Sequence, residues 1–255
     1  MNYLVIMPEE IKDGEKAVLT GSRAQYFKDF HGLKEGDEFR ALLYGAGRGS
    51  GCVERVDKKE VVLKAWFNEE PLPRVPLAVI VAVPRPQTVK KVLQTCSTMG
   101  VTDLYFVRSE NSEKSYFQSK TLEPQAITEE IVKGLEQAGD SVPPQVRVET
   151  LFNPFIEDLL PEQLATEQFN TALKVIADPR APVEQTALSA RPAGWDGAGV
   201  LAIGPESGWS DYERRKFEDL GFQMISLGRR ELRVETALGA LLGQLQLLRH
   251  FPVQE

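Results

Sequence analysis

GPESGWSDYERRKFEDLGFQMISLGRRELRVETA, residues 204–237, sets two glycine-bearing turns around one helix and one strand. The apolar run Val200–Ile203 leads into Gly204-Pro205-Glu206-Ser207-Gly208, and Ser210-Asp211-Tyr212-Glu213 fits a capping box that opens a helix. Glycine reaches positive φ and lets a backbone come close to a ligand, and a helix start offers unpaired N–H donors. Strand, glycine loop and helix in this order therefore make a ligand-holding turn. The helix is expected to stop at Gly221. Phe222–Leu227 then alternates as a strand does, and Leu227-Gly228-Arg229-Arg230 turns into a last helix. A glycine turn by itself is usually only a turn; the block LGRRELRVETA, residues 227–237, is far more specific.

Outward from this segment the pattern changes near residue 70. Residues 1–70 carry short apolar runs (Tyr3–Met7, Phe39–Tyr44, Cys52–Val56, Val61–Phe67) broken by glycine and charged turns, the pattern of a small β-barrel. Pro71, Pro73 and Pro76 make residues 71–76 a linker. Over 77–255 strands alternate with helices. Leu77–Val83 is a continuous apolar run expected to be buried on both faces, Thr88–Met99 a helix with Val89, Val92, Leu93 and Cys96 on one side, and Leu104–Val107 the next strand. A helix over Thr128–Ala138 and strands at Val146–Val148, Leu173–Ala177 and Val200–Ile203 continue the series. The fold class is α/β, with a mainly parallel sheet and helices on both faces. The last helix, Glu235–Arg249, is apolar at Ala237, Leu238, Leu241, Leu242, Leu245 and Leu248, widened by Ala240 and Leu247. That stripe serves either the subunit's own core or an isologous dimer interface.

Hydrophobic residues make up 42% and charged residues 26% of the 255, which excludes a largely disordered chain. No apolar stretch approaches the roughly 18 residues of a membrane span, and the start MNYLVIMPEE is too short and too soon acidic for a secretory signal; a cytoplasmic protein is expected. Cys52 and Cys96, with only His31 and His250 besides, have no zinc-site spacing, so they read as reduced structural thiols and no metal is expected. The net charge of −7 argues against phosphate as a partner. Its distribution is uneven, however. Arg74, Arg85, Lys90 and Lys91 lie in a stretch without acids from Pro71 to Thr102, and Arg214, Arg215, Lys216, Arg229, Arg230 and Arg233 crowd residues 214–233. A basic face is available to RNA, although Arg214–Lys216 equally suit the solvated side of a surface helix.

The blocks GPExGxSxxE and, after Gly221-Phe222, LGxRxLRxETA occur in the order and spacing of the RsmE family of SPOUT-class methyltransferases, which this chain resembles. The resemblance implies a PUA-like N-terminal barrel that grips RNA and a SPOUT domain with a deep C-terminal trefoil knot, which periodicity cannot reveal. It also implies a homodimer formed through the last helix. The implied reaction moves a methyl group from S-adenosylmethionine to N3 of a uridine in small-subunit (16S) ribosomal RNA, with S-adenosylhomocysteine as product. Cofactor contacts are expected from Ala177, Asp178, Ile203, Gly204, Pro205, Glu206, Gly208, Leu227, Gly228, Leu232, Thr236 and Ala237. Asp178, before Pro179, also reads as a plain turn residue, and Glu206 either binds ligand or braces its loop against Arg233. Arg233 and Arg230 match the family's arginines and suit a site where negative charge develops on uracil oxygens. Glu235 either orients them, removes the N3 proton, or complements the helix dipole. RNA contacts are expected from Arg85, Lys90, Lys91 and Lys34, the last in Leu33–Glu38, which matches the family's LKxGDE turn.

The departures fall mostly on the RNA side. Gly32 stands where an arginine normally precedes that turn, Asp140 where a basic residue is expected, Thr95 and Thr98 where Lys and Glu are usual, Ser207 for a second glycine and Glu231 for an apolar residue. Two further readings therefore stay open: a divergent SPOUT methyltransferase acting on another RNA, and a non-catalytic RNA-binding or ribosome-assembly protein keeping the fold. A nicotinamide-dependent oxidoreductase is disfavoured, because no GxGxxG follows Leu77–Val83.

Overall fold

The computed structural model describes residues 3–192 and 194–250, which group into two compact units. The first takes the residues up to Pro73 together with Val132–Pro143. Its strands are β1 (Tyr3–Ile6), β2 (Ile11–Asp13), β3 (Lys16–Thr20), β4 (Glu38–Leu43), β5 (Arg48–Val56) and β6 (Glu60–Glu69). They form one curled mixed sheet, a half-barrel ordered β1-β4-β5-β6-β3-β2, parallel only between β1 and β4. Alternate side chains such as Leu4, Ile6, Leu19, Val53 and Leu63 fill its concave side around Phe27. The β2–β3 hairpin and the helical stretch of α1 (Gly21–Tyr26) with the wider turn Phe27–His31 are additions to the expected pattern.

Two of the departures have local structural causes. Gly32 ends that helical stretch at φ +62, its N–H donating to the Phe27 carbonyl; a left-handed terminus of this kind favours glycine over arginine. Asp140 does not face solvent as a replaced RNA contact would. It is buried, and its carboxylate accepts from the N–H groups of Ser141 (2.7 Å) and Val142 (3.3 Å). Nearby Glu136 accepts from the Val5 N–H (3.0 Å) and the Tyr26 hydroxyl (2.7 Å), tying residues 132–143 to the half-barrel.

The second unit holds Arg74–Ile131 and the residues from Pro144 onward. Its strands are β7 (Leu77–Ala82), β8 (Asp103–Val107), β9 (Gln145–Glu149), β10 (Leu173–Ala177), β11 (Gly199–Ile203) and β12 (Gln223–Ile225). They form a fully parallel sheet ordered β12-β10-β11-β7-β8-β9. Central β7 and β11 are buried at every residue, as a continuous apolar run must be when both faces are covered. The helices are α2 (Pro86–Thr98), α3 (Pro124–Ala138), whose residues from Val132 onward belong to the first unit, α4 (Phe152–Pro154) running through Phe155–Leu159 into α5 (Leu160–Leu164), α6 (Asp211–Asp219) and α7 (Val234–His250). On α2, Cys96 is fully buried and desolvation pushes its thiol far up, consistent with a structural role. On α7, Ala237, Leu238, Leu241, Leu242, Leu245 and Leu248 are buried in the chain's own core. Ala240 and Leu247 remain exposed with Thr236, Gly239 and Gly243. Among the described residues no helix is long and apolar enough to cross a membrane.

From β7 the chain moves outward through β8 to β9, then returns to the other side of β7 for β11, β10 and β12. The order reverses there, and the register aligns Val81, Ile203 and Ala177 at the carboxyl ends of neighbouring strands. Loops leaving such a reversal diverge and leave a crevice.

Candidate functional site

The loops after β10, β11 and β12 enclose a narrow cleft of about 80 Å³. After β11, Gly204 lies so close to the loop's own return that an added Cβ would stand 3.0 Å from the Trp209 nitrogen and 3.1 Å from its Cδ1. Gly208 at φ +76 and Gly228 at φ +105 hold conformations that side-chain-bearing residues rarely adopt. The Ser226 hydroxyl accepts from the Gly228 N–H (3.1 Å), fixing the turn after β12. Trp209 is 2% exposed, and its Nε1 has no hydrogen-bond partner among the described residues. A buried donor without a partner is costly unless a ligand supplies the acceptor.

A single carboxylate fixes the loop's far end. Glu213 completes the expected capping box, accepting from the Ser210 N–H (2.9 Å) while its own N–H donates to Ser210 Oγ (3.3 Å). It also accepts from the Ser109 hydroxyl (3.0 Å) and the Glu110 N–H (2.7 Å), which joins the loop after β8 to the start of α6. Asp178 plays a comparable part after β10. It is 3% exposed, accepts from the Arg180 N–H (2.8 Å) and Nε (3.1 Å), and lies 3.6 Å from Arg214 Nη1. Arg214 donates in turn to the Trp209 carbonyl (2.7 Å), so it is scaffold rather than solvated surface. Lys216 pairs with Glu157, and Arg215 alone of the three is exposed.

A second, wider cleft of about 650 Å³ adjoins the first, and Val234 lines both. It gathers Arg85, Lys91, Tyr116, Glu206, Arg233 and Glu235. Arg233 is exposed and makes no hydrogen bond or ion pair among the described residues. Glu235 is engaged by Lys91 Nζ at 2.9 Å; this bond, then a backbone hydrogen bond, holds its carboxyl below the usual range. Glu206 pairs with Arg85 (3.8 Å), so the expected brace against Arg233 is replaced by one against Arg85.

Of the expected cofactor positions, Ala177, Asp178, Ile203, Gly204 and Gly208 line the narrow cleft from one side, and Leu227, Gly228, Leu232 and Ala237 from the other. Pro205 is buried in its turn, accepting from the Gly208 N–H (2.8 Å), and Thr236 is exposed on α7; neither lines a cleft. Glu206 belongs to the wide cleft. Arg230 lines the narrow one, apart from Arg233 and Glu235. Arg85 and Lys91 join the wide cleft, whereas Lys90 is directed to Glu130 (3.7 Å), and Lys34 is exposed on a turn of the first unit. Sequence reasoning missed Pro179, Trp209 and Val234. Trp209 had a usable signal, a large aromatic directly after Gly208 in a loop too short to leave it in solvent.

Comparison with known proteins agrees with this geometry. A family model described as an RNA methyltransferase domain matches residues 70–246. The ribosomal RNA small subunit methyltransferase E of Treponema pallidum (strain Nichols) is 29% identical over 244 residues, covering 93% of this chain and 87% of the relative. The protein of the same name from Synechocystis sp. is 28% identical over 249 residues, covering 96% and 77%. Among solved structures, ribosomal RNA small subunit methyltransferase E from Neisseria gonorrhoeae, bound to S-adenosyl methionine, has a TM-score of 0.75 at 18% identity and covers 97% of this chain and 98% of its own. A putative methyltransferase from Legionella pneumophila in complex with the same cofactor has a TM-score of 0.73 at 23% identity, with the same coverage. These likenesses extend over both units and establish the fold.

Proposed function

This chain belongs to the RNA methyltransferase domain family, and we propose that it transfers a methyl group from S-adenosylmethionine to N3 of a uridine in small-subunit ribosomal RNA. The observation that carries the reading is the meeting of the two clefts at Val234, one narrow and glycine-turned, the other open and bearing the unpaired Arg233. The names of the relatives supply the ribosomal RNA.

At about 80 Å³ the narrow cleft can enclose only part of the cofactor, and its lining suits that part. Apolar Ile203, Leu227, Leu232 and Ala237 would wall it, the glycine turns would offer backbone N–H and C=O groups, and Trp209 Nε1 is a donor awaiting an acceptor. S-adenosylmethionine supplies a methyl group on a sulfonium, so the N3–CH3 bond forms as the S–CH3 bond breaks, the N3 proton leaves and S-adenosylhomocysteine is released. The chain's own task is alignment and exclusion of water. Arg233 would meet the negative charge that builds on the uracil oxygens. Glu235, kept ionised by Lys91, is a poor proton acceptor and serves to anchor Lys91 at the rim. Arg230, on the cofactor side, would contact the methyl donor rather than the uracil.

The proposal extends to the whole chain: an RNA-gripping half-barrel, a linker at 71–76, and a knotted domain from residue 77 that carries the chemistry and lends residues 132–143 to the half-barrel. The knot is what the resemblance of the blocks at 204–213 and 227–237 to the SPOUT class implies. A homodimer through α7 is supported by Gly239, Ala240 and Gly243, small exposed residues that let a second helix approach closely.

The direct test supplies labelled S-adenosylmethionine and small ribosomal subunits lacking their native uridine methylation, then identifies the labelled nucleoside by mass spectrometry. Recovery of 3-methyluridine is expected. Label on another nucleoside would overturn the N3 assignment, and no label, with an active relative working on the same subunits, would overturn the reaction.

A further inference from the structure

On the other side of the Gly204–Glu213 loop lies a third cleft of about 450 Å³, to which neither the cofactor nor the target uracil has been assigned. It opens at the carboxyl ends of β8 and β9, lined by Arg108 and Lys114 on one side and by Leu151, Phe152, Asn153 and Tyr212 on the other. Its volume falls within the range of small-molecule sites, roughly 300–1,000 Å³.

The side chains here combine two free cations with a half-exposed aromatic ring. Neither the Arg108 nor the Lys114 side chain makes a hydrogen bond or ion pair among the described residues, although most basic groups around the loop are paired. Tyr212 is 47% exposed, with its hydroxyl held by Asn153 Oδ1 (3.2 Å) and its ring braced edge-on by Phe152, at 6.4 Å between centroids. Leu151, 59% exposed, extends the apolar rim. Two acids also line the cleft. Glu213 is buried and satisfied by three donors, which leaves Glu110 as the one exposed carboxylate beside the two cations.

The cleft is coupled to both others through named contacts. Phe152 on its wall meets Trp209 of the narrow cleft at 6.2 Å between centroids, and Asn111 Nδ2 donates to the Gly208 carbonyl (2.9 Å). The short helical segment Lys114–Gln118 places Lys114 in this cleft and Tyr116 in the wide one. A strand whose target base entered beside Arg233 would therefore pass Tyr116 and reach Lys114 within a residue or two.

We infer that this cleft is a subsite for a nucleotide flanking the target, holding an unpaired base against Tyr212 and Leu151 and its phosphate on Arg108 and Lys114. The inference rests on the reading of the protein as an RNA methyltransferase and adds the recognition of single-stranded RNA beside the modified position. Stacking on an aromatic ring with cations along the backbone is the sequence-tolerant way proteins hold single strands, and it gives the chain a means of gripping RNA despite its net negative charge.

The test compares the parent with Tyr212→Ala, Tyr212→Phe and Lys114→Ala. Filter binding to unmethylated small-subunit ribosomal RNA is measured over a range of salt, alongside calorimetric binding of S-adenosylmethionine and methyl transfer. Tyr212→Ala should weaken RNA binding about ten-fold or more, the scale of one lost stack, while Tyr212→Phe retains it. Lys114→Ala should lower the salt slope by about one phosphate contact. In all variants cofactor affinity should stay at the parental value, which doubles as the check on folding. Parental RNA binding in Tyr212→Ala and Lys114→Ala would overturn the subsite and leave the methyltransferase reading intact. Weakened binding in those variants, with a parent that binds RNA but transfers no methyl, would sustain the subsite and overturn the enzyme. A parent that does not bind the RNA overturns both.

Discussion

Three positions separate Arg230 from Arg233, yet they line different clefts, and only Arg233 shares its cleft with Arg85 and Lys91. Arg233→Ala should therefore leave S-adenosylmethionine affinity unchanged and lower single-turnover methyl transfer by about 10²–10³, the cost of one lost oxyanion donor. Equal losses in both would move Arg233 to the cofactor. Glu235 makes a second, pH-dependent case. Its folded pKa is depressed below the ordinary 4.5, first by Lys91 and then by a backbone hydrogen bond, so its stabilising contribution is fully present above that value and lost as the pH falls through the folded pKa. Removing the partner should reverse part of the shift: in Lys91→Ala a carboxyl titration followed by NMR should find Glu235 higher than in the parent, and an unmoved value would assign the shift to the helix start alone.

The loop from β11 to α6 is held less by its glycines than by Glu213, which no composition argument would rank above the neighbouring acids. Glu213→Ala leaves the Ser109, Glu110 and Ser210 donors without their acceptor; unfolding in urea should show a loss of about 2–4 kcal/mol, and a smaller one would mean that water replaces the carboxylate. Gly204→Ala acts on the same loop from inside, since the new methyl meets the Trp209 backbone at 3.0 Å. Calorimetry should find cofactor affinity reduced at least ten-fold with the melting temperature only slightly lower; unchanged affinity would show that Trp209 can retreat. At this scale much was legible. The β-branched run at 77–82, the capping box at Ser210 and the glycine stop at Gly221 are local signals, and each element formed where its residues required. Pairings between distant residues were not legible. Lys91 with Glu235, Arg85 with Glu206 and Arg214 with Asp178 depend on strand order, which no window of sequence contains. The stripe on α7 was visible, but only the packed chain shows that all its leucines except Leu247 lie inside and that small residues remain outside beside Leu247.

For the molecule as a whole, that outer face carries the proposed dimer. Gly243→Arg places a long charged side chain where an added Cβ meets no neighbouring atom, so the fold should survive while light scattering shows the monomer mass. A dimeric variant would place the interface elsewhere, and a monomeric parent would overturn the dimer. The half-barrel has a different dependence, because Glu136, Gly139 and Ser141 complete it from a segment that follows β7, α2 and β8 of the other unit. During synthesis the strands up to β6 leave the ribosome about 60 residues before Val132 does, an interval of roughly 3–12 s at 5–20 residues per second. Until then the Val5 N–H and the Tyr26 hydroxyl lack the carboxylate that receives them. The N-terminal unit is thus first in sequence but not first to be finished, and a gene cut at the proline linker would separate it from part of itself.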